Sequence, residues 1–185
     1  IFGDGTGKAI SLGERDCSAQ RRNQKVIEET PAPNLSETSR QELHKTAERL
    51  MGSVNYRNAG TVEFIYDADT GEFYFLEVNT RLQVEHGVTE EVWGVDLVEW
   101  MLQQACGELG DLHALKAALA PHGHAIQVRV YAEDPAQEFR PAAGLLSHVS
   151  WPQQNGLRID HWIESGIEVP ALFDPMLAKV IVHGR

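Results

Sequence analysis

The protein has 185 residues, 42% of them apolar and 23% charged, enough for one globular domain or two small ones and too apolar for a disordered chain. Its 16 Lys and Arg stand against 27 Asp and Glu; the formal charge of −11 excludes the basic face that duplex nucleic acid requires and favours solubility or a metal site. No apolar run is long enough for a membrane span, and Cys17 and Cys106, which lack CxxC spacing, fit buried thiols in a reducing cytoplasm rather than a disulfide framework.

The chain begins at Ile1 and stops after the apolar run Val180-Ile181-Val182, which reads as a piece of something longer. Gly3-Asp-Gly-Thr-Gly7 lacks both a GK[ST] ending and the GxGxxG spacing, so it reads as a hairpin turn rather than a phosphate loop. Ala9–Glu14 and Lys25–Thr30 have strand character. Beyond Pro31 and Pro33, the spacing of Leu43, Ala47, Leu50, Met51 and Val54 predicts an amphipathic helix capped by Ser36. Thr61–Tyr66 and Glu72–Asn79, joined by turn residues 67–71, predict a β-hairpin. Asp67-Ala-Asp-Thr-Gly71 mimics the opening of a calcium loop but puts Glu72 where that loop needs glycine. Asp96 and Glu99 are spaced as a capping box for a helix reaching Cys106, with Gly107 as its stop. A short helix over Asp111–Ala120 precedes a change of texture, so a domain boundary falls near residues 108–122. The remainder predicts strands at His124–Ala132, Leu145–Trp151, Leu157–Ile163 and Lys179–His183.

The segment from Glu77 to Glu85 is the most informative. Glu77, Asn79, Arg81, Gln83 and Glu85 alternate with Val78, Thr80, Leu82 and Val84, which on an extended chain lines five polar groups along one face. Two carboxylates, two carboxamides and a guanidinium suit a metal and an anion held side by side, where an ordinary wet face would carry interchangeable Lys, Glu, Ser and Thr. The hairpin turn pairs positions whose numbers sum to about 140, which sets Glu63 opposite Glu77. Like charges in that position repel unless a cation lies between them. Mg²⁺ is the natural occupant, because it takes one or two carboxylates together with phosphate oxygens. In an otherwise acidic chain, Arg15, Arg21, Arg22 and Lys25 cluster together, so Lys25 and Gln20 are candidates for anion binding. Arg129 alternates with Ile126, Val128 and Val130, the phase of a surface arginine. His122 and His124 cannot form a helical zinc pair, and His86 fits a structural or a chemical role.

Four stretches resemble the biotin carboxylase component of biotin-dependent carboxylases: Gly13-Glu-Arg-Asp-Cys-Ser-Ala-Gln-Arg-Arg-Asn-Gln-Lys25, Ala59-Gly-Thr-Val-Glu63, Glu77-Val-Asn-Thr-Arg-Leu-Gln-Val-Glu-His86 and Phe173-Asp-Pro-Met-Leu-Ala-Lys179. Within that family, Val26–Leu35, Val98–Leu102, Gly144–Leu146, Asp160–Ile163 and the ending Lys179–Gly184 are most similar to the urea carboxylase (urea amidolyase) branch, with Gly87 where acyl-CoA and pyruvate carboxylases usually have proline.

The resemblance implies an α+β chain: an ATP-grasp carboxyl-terminal lobe over residues 1–108, incomplete at its N-terminus, then a truncated biotin carboxylase C-terminal domain over 109–185. It implies ATP, Mg or Mn, bicarbonate and carrier-linked biotin as reactants and cofactors, with carboxybiotin feeding urea carboxylation to allophanate. Glu63, Glu77 and Asn79 would hold the metal, and Gln20, Asn23 and Lys25 would join Glu63 and Glu77 around ATP. Arg81, Gln83, the Val84 backbone and Lys25 would hold bicarbonate, Glu85 would be the general base, and Arg129 would steady an enolate-like biotin. Implied partners are a biotin carboxyl carrier domain and a carboxyltransferase domain, with a homodimer compatible and neither nucleic acid nor membrane expected. The lysines and glycine-rich lid that clamp the nucleotide in the family lie before Ile1, so the piece alone is expected to be inactive. The same half-reaction in an acyl-CoA or pyruvate carboxylase, and a non-catalytic nucleotide-sensing or assembly module, are the alternatives.

Overall fold

The computed structural model describes all 185 residues, a mixture of helix and antiparallel sheet. β1 (Phe2–Asp4) turns back through Gly5-Thr6-Gly7 into β2 (Ala9–Ile10), so the glycine cluster is a hairpin turn, closed by the Thr6 N–H donating to Asp4. The expected strand Ala9–Glu14 ends at Ile10 because Ser11 and Glu14 are drawn to the first helix instead: Glu48 accepts from the Ser11 N–H at 2.8 Å, and Glu14 pairs with His44 at 2.7 Å. β3 (Gln20–Arg21) and β4 (Gln24–Lys25) form a tight hairpin whose turn residues, Arg22 and Asn23, have φ of 50° and 64°. β5 (Ile27–Thr30) follows.

Helix α1 (Glu37–Ser53) starts at Ser36, whose hydroxyl accepts from the Ser39 N–H, as its sequence predicts. β6 (Arg57–Ala59) completes the sheet order β2-β1-β6. β7 (Thr61–Tyr66) and β8 (Phe73–Asn79) form the predicted hairpin with Glu63 directly opposite Glu77, and a bulge shifts the register only beyond Glu63.

After Asn79 the chain departs from expectation. It leaves the sheet, loops through residues 80–85 and enters α2 (His86–Trp93), a helix that the alternation did not predict. Packing decides this: α2 buries Val88 and Val92 against Ala125 and Ile181, and Gly94 ends it in the left-handed conformation. The spacing of Val88, Val92 and Gly94 was the signal that the longer polar run masked.

α3 (Leu97–Cys106) is capped by Asp96, which accepts from the Glu99 N–H, and α4 (Leu112–Ala118) is capped by Asp111. Phe2, Ile10, Leu12, Ala59, Leu97, Trp100 and Leu112 form the largest buried cluster, with Phe2 edge-on to Trp100 at 5.6 Å. Of the two cysteines only Cys17 is substantially covered; Cys106, in the last turn of α3, is exposed, contrary to the expectation of buried thiols.

The second sheet is built largely from the C-terminal third. β9 (His124–Tyr131) is followed by three small elements, β10 (Glu133–Asp134), β11 (Arg140–Pro141) and β12 (Gly144–Leu145). Beyond them come β13 (Leu157–His161), β14 (Glu168–Val169) and β15 (Met176–Gly184). The order β13-β15-β9-β5 shows that β5, from the first third of the chain, closes this sheet beside β9. The expected strand Leu145–Trp151 stops at Leu145, since the Val149 N–H is taken by the Ser165 hydroxyl rather than by a ladder partner. No helix is long and apolar enough to cross a membrane.

The phase of β9 is inverted from expectation. Ile126 and Val128 are exposed, while Ala125 and Gln127 are buried and the Arg129 side chain is only 12% accessible. Arg129 is therefore not a surface arginine; its strand turns a polar face inward toward Glu28 and Glu85.

α2 is tied down by Glu90, which accepts from the Leu97 N–H and from Arg158 at 2.8 Å and lies 3.2 Å from His86. Burial opposes ionisation of Glu90, but these partners outweigh it and hold its pKa at about 2, below the ordinary 4.5. Its stabilising contribution is thus present above pH 4.5 and lost as pH falls toward about 2. In Glu90→Gln, urea unfolding should show lower stability at neutral pH and a flatter pH dependence across that acid window.

Candidate functional site

Four segments deliver the polar groups. The β3–β4 hairpin brings Lys25, the β7–β8 hairpin brings Glu63, Glu77 and Asn79, the 80–85 loop brings Arg81, Gln83 and Glu85, and β9 brings Arg129. The Lys25 ammonium sits between two carboxylates, 2.7 Å from Glu63 and 2.8 Å from Glu85. Arg129 lies on the far side of Glu85, 3.1 Å from its other oxygen, and is itself held by buried Glu28 at 2.6 Å.

Glu63 and Glu77 point to the same side of the hairpin, because one atom, the Asn79 side-chain nitrogen, reaches both, at 3.0 and 3.2 Å. Glu63 also accepts from Gln83 at 2.8 Å. Burial disfavours the Glu63 carboxylate, but the hydrogen bonds from Lys25 and Gln83 prevail and hold its pKa below the usual range. Glu85 follows the same logic: burial raises its pKa, and Lys25 together with the Arg15 charge lowers it further than burial raises it. Both acids are ionised at neutral pH, and Lys25, whose pKa its two carboxylate partners raise against the effect of burial, remains a cation.

No cluster of three His, Cys, Asp or Glu side chains suited to a metal exists anywhere in the chain. Two facing carboxylates, bridged here by the Asn79 amide nitrogen, are instead a partial oxygen donor set, which fits Mg²⁺ or Mn²⁺ completed by phosphate and water and does not fit a zinc cage. Arg81 is exposed and touches only Asn79 and the Leu82 carbonyl, so its guanidinium has no carboxylate partner. It remains open to an external anion.

Three residues depart from expectation in placement. The polar run is not one strand face: Glu77 and Asn79 lie on β8, whereas Gln83 and Glu85 are brought beneath the hairpin by the loop, both nearly buried. Gln20 lines the central cavity of about 630 Å³ together with Lys25, Glu63, Gln83 and Glu85, but Asn23 sits at the exposed tip of the β3–β4 turn and does not line it. A more open depression of about 780 Å³ beside Trp151 and His161 contains none of these groups.

Arg15 escaped sequence reasoning, which saw only a charge run. Its guanidinium donates to Gln83 at 2.9 Å, Thr61 at 3.1 Å and Thr89 at 2.9 Å, and so fixes which end of the Gln83 amide faces Glu63. Its Cys17 neighbour approaches Glu85 at 3.9 Å, and burial pushes that thiol up to about 12, so it stays protonated.

Residues 1–112 match the family described as carbamoyl-phosphate synthase L chain, ATP binding domain, and residues 127–185 match the biotin carboxylase C-terminal domain. The chain belongs to the biotin carboxylase family, joining the ATP-grasp ATP-binding unit of that class to its characteristic C-terminal domain. It is 56% identical to urea amidolyase of Lachancea kluyveri over its whole length, spanning 10% of that relative. The crystal structure of Kluyveromyces lactis urea carboxylase superimposes with a TM-score of 0.94 at 55% identity, covering 99% of this chain and 16% of that one. The biotin carboxylase domain dimer of Hydrogenobacter thermophilus 2-oxoglutarate carboxylase, described in complex with MgADP and bicarbonate, matches with a TM-score of 0.90 at 39% identity, covering 99% of this chain and 40% of that one.

Replacing Arg15 with Met removes three charge-assisted hydrogen bonds while keeping the side chain's length. Urea unfolding should show a loss of about 2–4 kcal/mol, because Gln83, Thr61 and Thr89 are left without their donor.

Proposed function

We propose that this chain carries the carboxylating centre of a urea carboxylase, in which ATP and bicarbonate carboxylate carrier-linked biotin and the product goes on to urea. The observation that carries the reading is the Lys25 bridge: an ionised base, Glu85, shares one ammonium group with Glu63, a member of the carboxylate pair fit for a phosphate-bound cation. The high identity to urea amidolyase favours urea over an acyl-CoA or pyruvate as the final acceptor.

In this reading Glu63 and Glu77, with Asn79, hold Mg²⁺ or Mn²⁺; when bound, the ion neutralises charge on the ATP phosphates. Gln20 and Lys25 face the nucleotide's anionic side, while Asn23, at the exposed tip of its turn, stands outside the cavity. Arg81, the Val84 backbone and Gln83 hold bicarbonate, and Lys25 offsets its charge. Glu85, kept ionised by Lys25 and Arg15, takes the bicarbonate proton. Arg129 balances the negative charge that develops on the biotin ring beside that base. The reading divides the chain into an ATP-grasp lobe over 1–108 and a C-terminal domain over 109–185. It places the protein in the cytoplasm, working with biotin carrier and carboxyltransferase domains, and is compatible with a homodimer.

In the full-length protein, Glu85→Gln should reduce fixation of labelled bicarbonate into biotin by roughly 100-fold or more while leaving Mg-ATP binding nearly intact. Glu63→Gln combined with Glu77→Gln should do the reverse and weaken Mg-ATP binding first. Unchanged bicarbonate fixation in Glu85→Gln would remove that residue from its role, and ATP turnover stimulated by an acyl-CoA rather than by urea would redirect the acceptor.

A further inference from the structure

We propose that Lys179, braced by Asp160, is a positioning residue that fixes the Val84–Glu85 peptide, so that the second sheet sets the geometry of the bicarbonate site. The proposal rests on the function proposed above and concerns residues outside the groups assigned there.

The Lys179 ammonium donates to the Val84 carbonyl at 3.2 Å and lies 3.1 Å from Asp160. Asp160 is gripped from the other side by Arg158, which donates to both of its oxygens at 2.9 and 3.0 Å. Arg158 in turn reaches Glu90 of α2 at 2.8 Å. Both ends of the segment from Val84 to Glu90 therefore hang on one ladder of alternating charge, anchored to β13 and β15.

Asp160 lies directly opposite Lys179, and Lys179 lies directly opposite Arg129. Adjacent cations on one sheet face repel unless each has its own acceptor. Here each has: Lys179 takes the Val84 carbonyl and Asp160, while Arg129 takes Glu28 and the Glu85 carboxylate. Two neighbouring cations thus hold consecutive groups of the chain, the backbone just before the base and the base itself. With the Val84 carbonyl kept turned toward Lys179, its negative end is held away from the bicarbonate, and rotation of the peptide that joins it to Glu85 is resisted. The Lys179 side chain is only 12% accessible, so water replaces it poorly.

The test uses the full-length protein with Lys179→Met, Lys179→Arg and Asp160→Asn, reading KM for bicarbonate, KM for ATP, kcat and hydrogen exchange across residues 83–87. Lys179→Met should raise the bicarbonate KM about tenfold and lower kcat, with the ATP KM within about twofold of wild type, as expected for loss of one charge-assisted hydrogen bond. Lys179→Arg should restore most of the loss, Asp160→Asn should move the same constants in the same direction, and exchange across 83–87 should quicken. A Lys179→Met protein that is less stable but kinetically unchanged would overturn the proposal. If that variant does not fold, Asp160→Asn decides in its place, since it leaves the lysine present without its brace. A wild-type protein without bicarbonate-dependent ATP cleavage would overturn the underlying function instead, and hydrogen exchange alone would then decide the positioning, with unchanged protection in the variants contradicting it.

Discussion

One ammonium group joins the two halves of this site. Without Lys25, the Glu63 and Glu85 carboxylates would lose the one cation they share, leaving Glu63 with amide donors only and Glu85 with Arg129 and the Arg15 charge, and burial would push both toward the neutral form. With it, both are ionised, and the charge of the hairpin carboxylates is coupled directly to the charge of the base. Buried ion pairs of this kind are a weak source of stability, because desolvation cancels much of the attraction. Their value here is chemical: they keep a proton acceptor charged in a place where an isolated carboxylate would not remain so.

The surroundings are arranged to hold that triad still. Arg15 fixes the Gln83 amide, the loop carrying Arg15 is tied to α1 through the Glu48 and Glu14 contacts, and Arg129 is pinned by Glu28, which is fully buried. Because β5 joins the β9 edge of the second sheet, the strand that follows Lys25 and the strand that carries Arg129 are hydrogen-bonded neighbours. The distance between the two cations flanking Glu85 is thereby set by sheet geometry rather than by flexible side chains alone.

The legible parts of this architecture were those that local chemistry dictates. Ser36 and Asp96 mark helix starts, and the turn residues 67–71 fix a hairpin register that places Glu63 opposite Glu77. What escaped was decided by packing at a distance. Strict alternation from Glu77 to Glu85 looked like one strand, yet only its first three residues are in β8, because α2 gains more by burying Val88 and Val92 against Ala125 and Ile181. Arg129 looked solvated for a related reason: apolar alternation ordinarily marks the inward face, and in β9 the inward face is the polar one. Arg15 was invisible within a charge run, since nothing local distinguishes a guanidinium that will be enclosed by two threonines and a glutamine. The resemblance to biotin carboxylases supplied roles that spacing could not, while the geometry shows which of those residues meet: Lys25, Glu63, Gln83 and Glu85 converge, and Asn23 stays at the tip of its turn.

The ionisation of Glu85 tests this picture most directly. Isotope-edited infrared spectra of the full-length protein, with Glu85→Gln subtracted to assign the band, should show no protonated-carboxyl absorption from this residue at neutral pH, and less than half of its full acid-form intensity at the ordinary glutamate value of 4.5. A protonated Glu85 at neutral pH would mean that burial outweighs Lys25 and Arg15, and would contradict its standing as the ionised base beside the carboxylate pair.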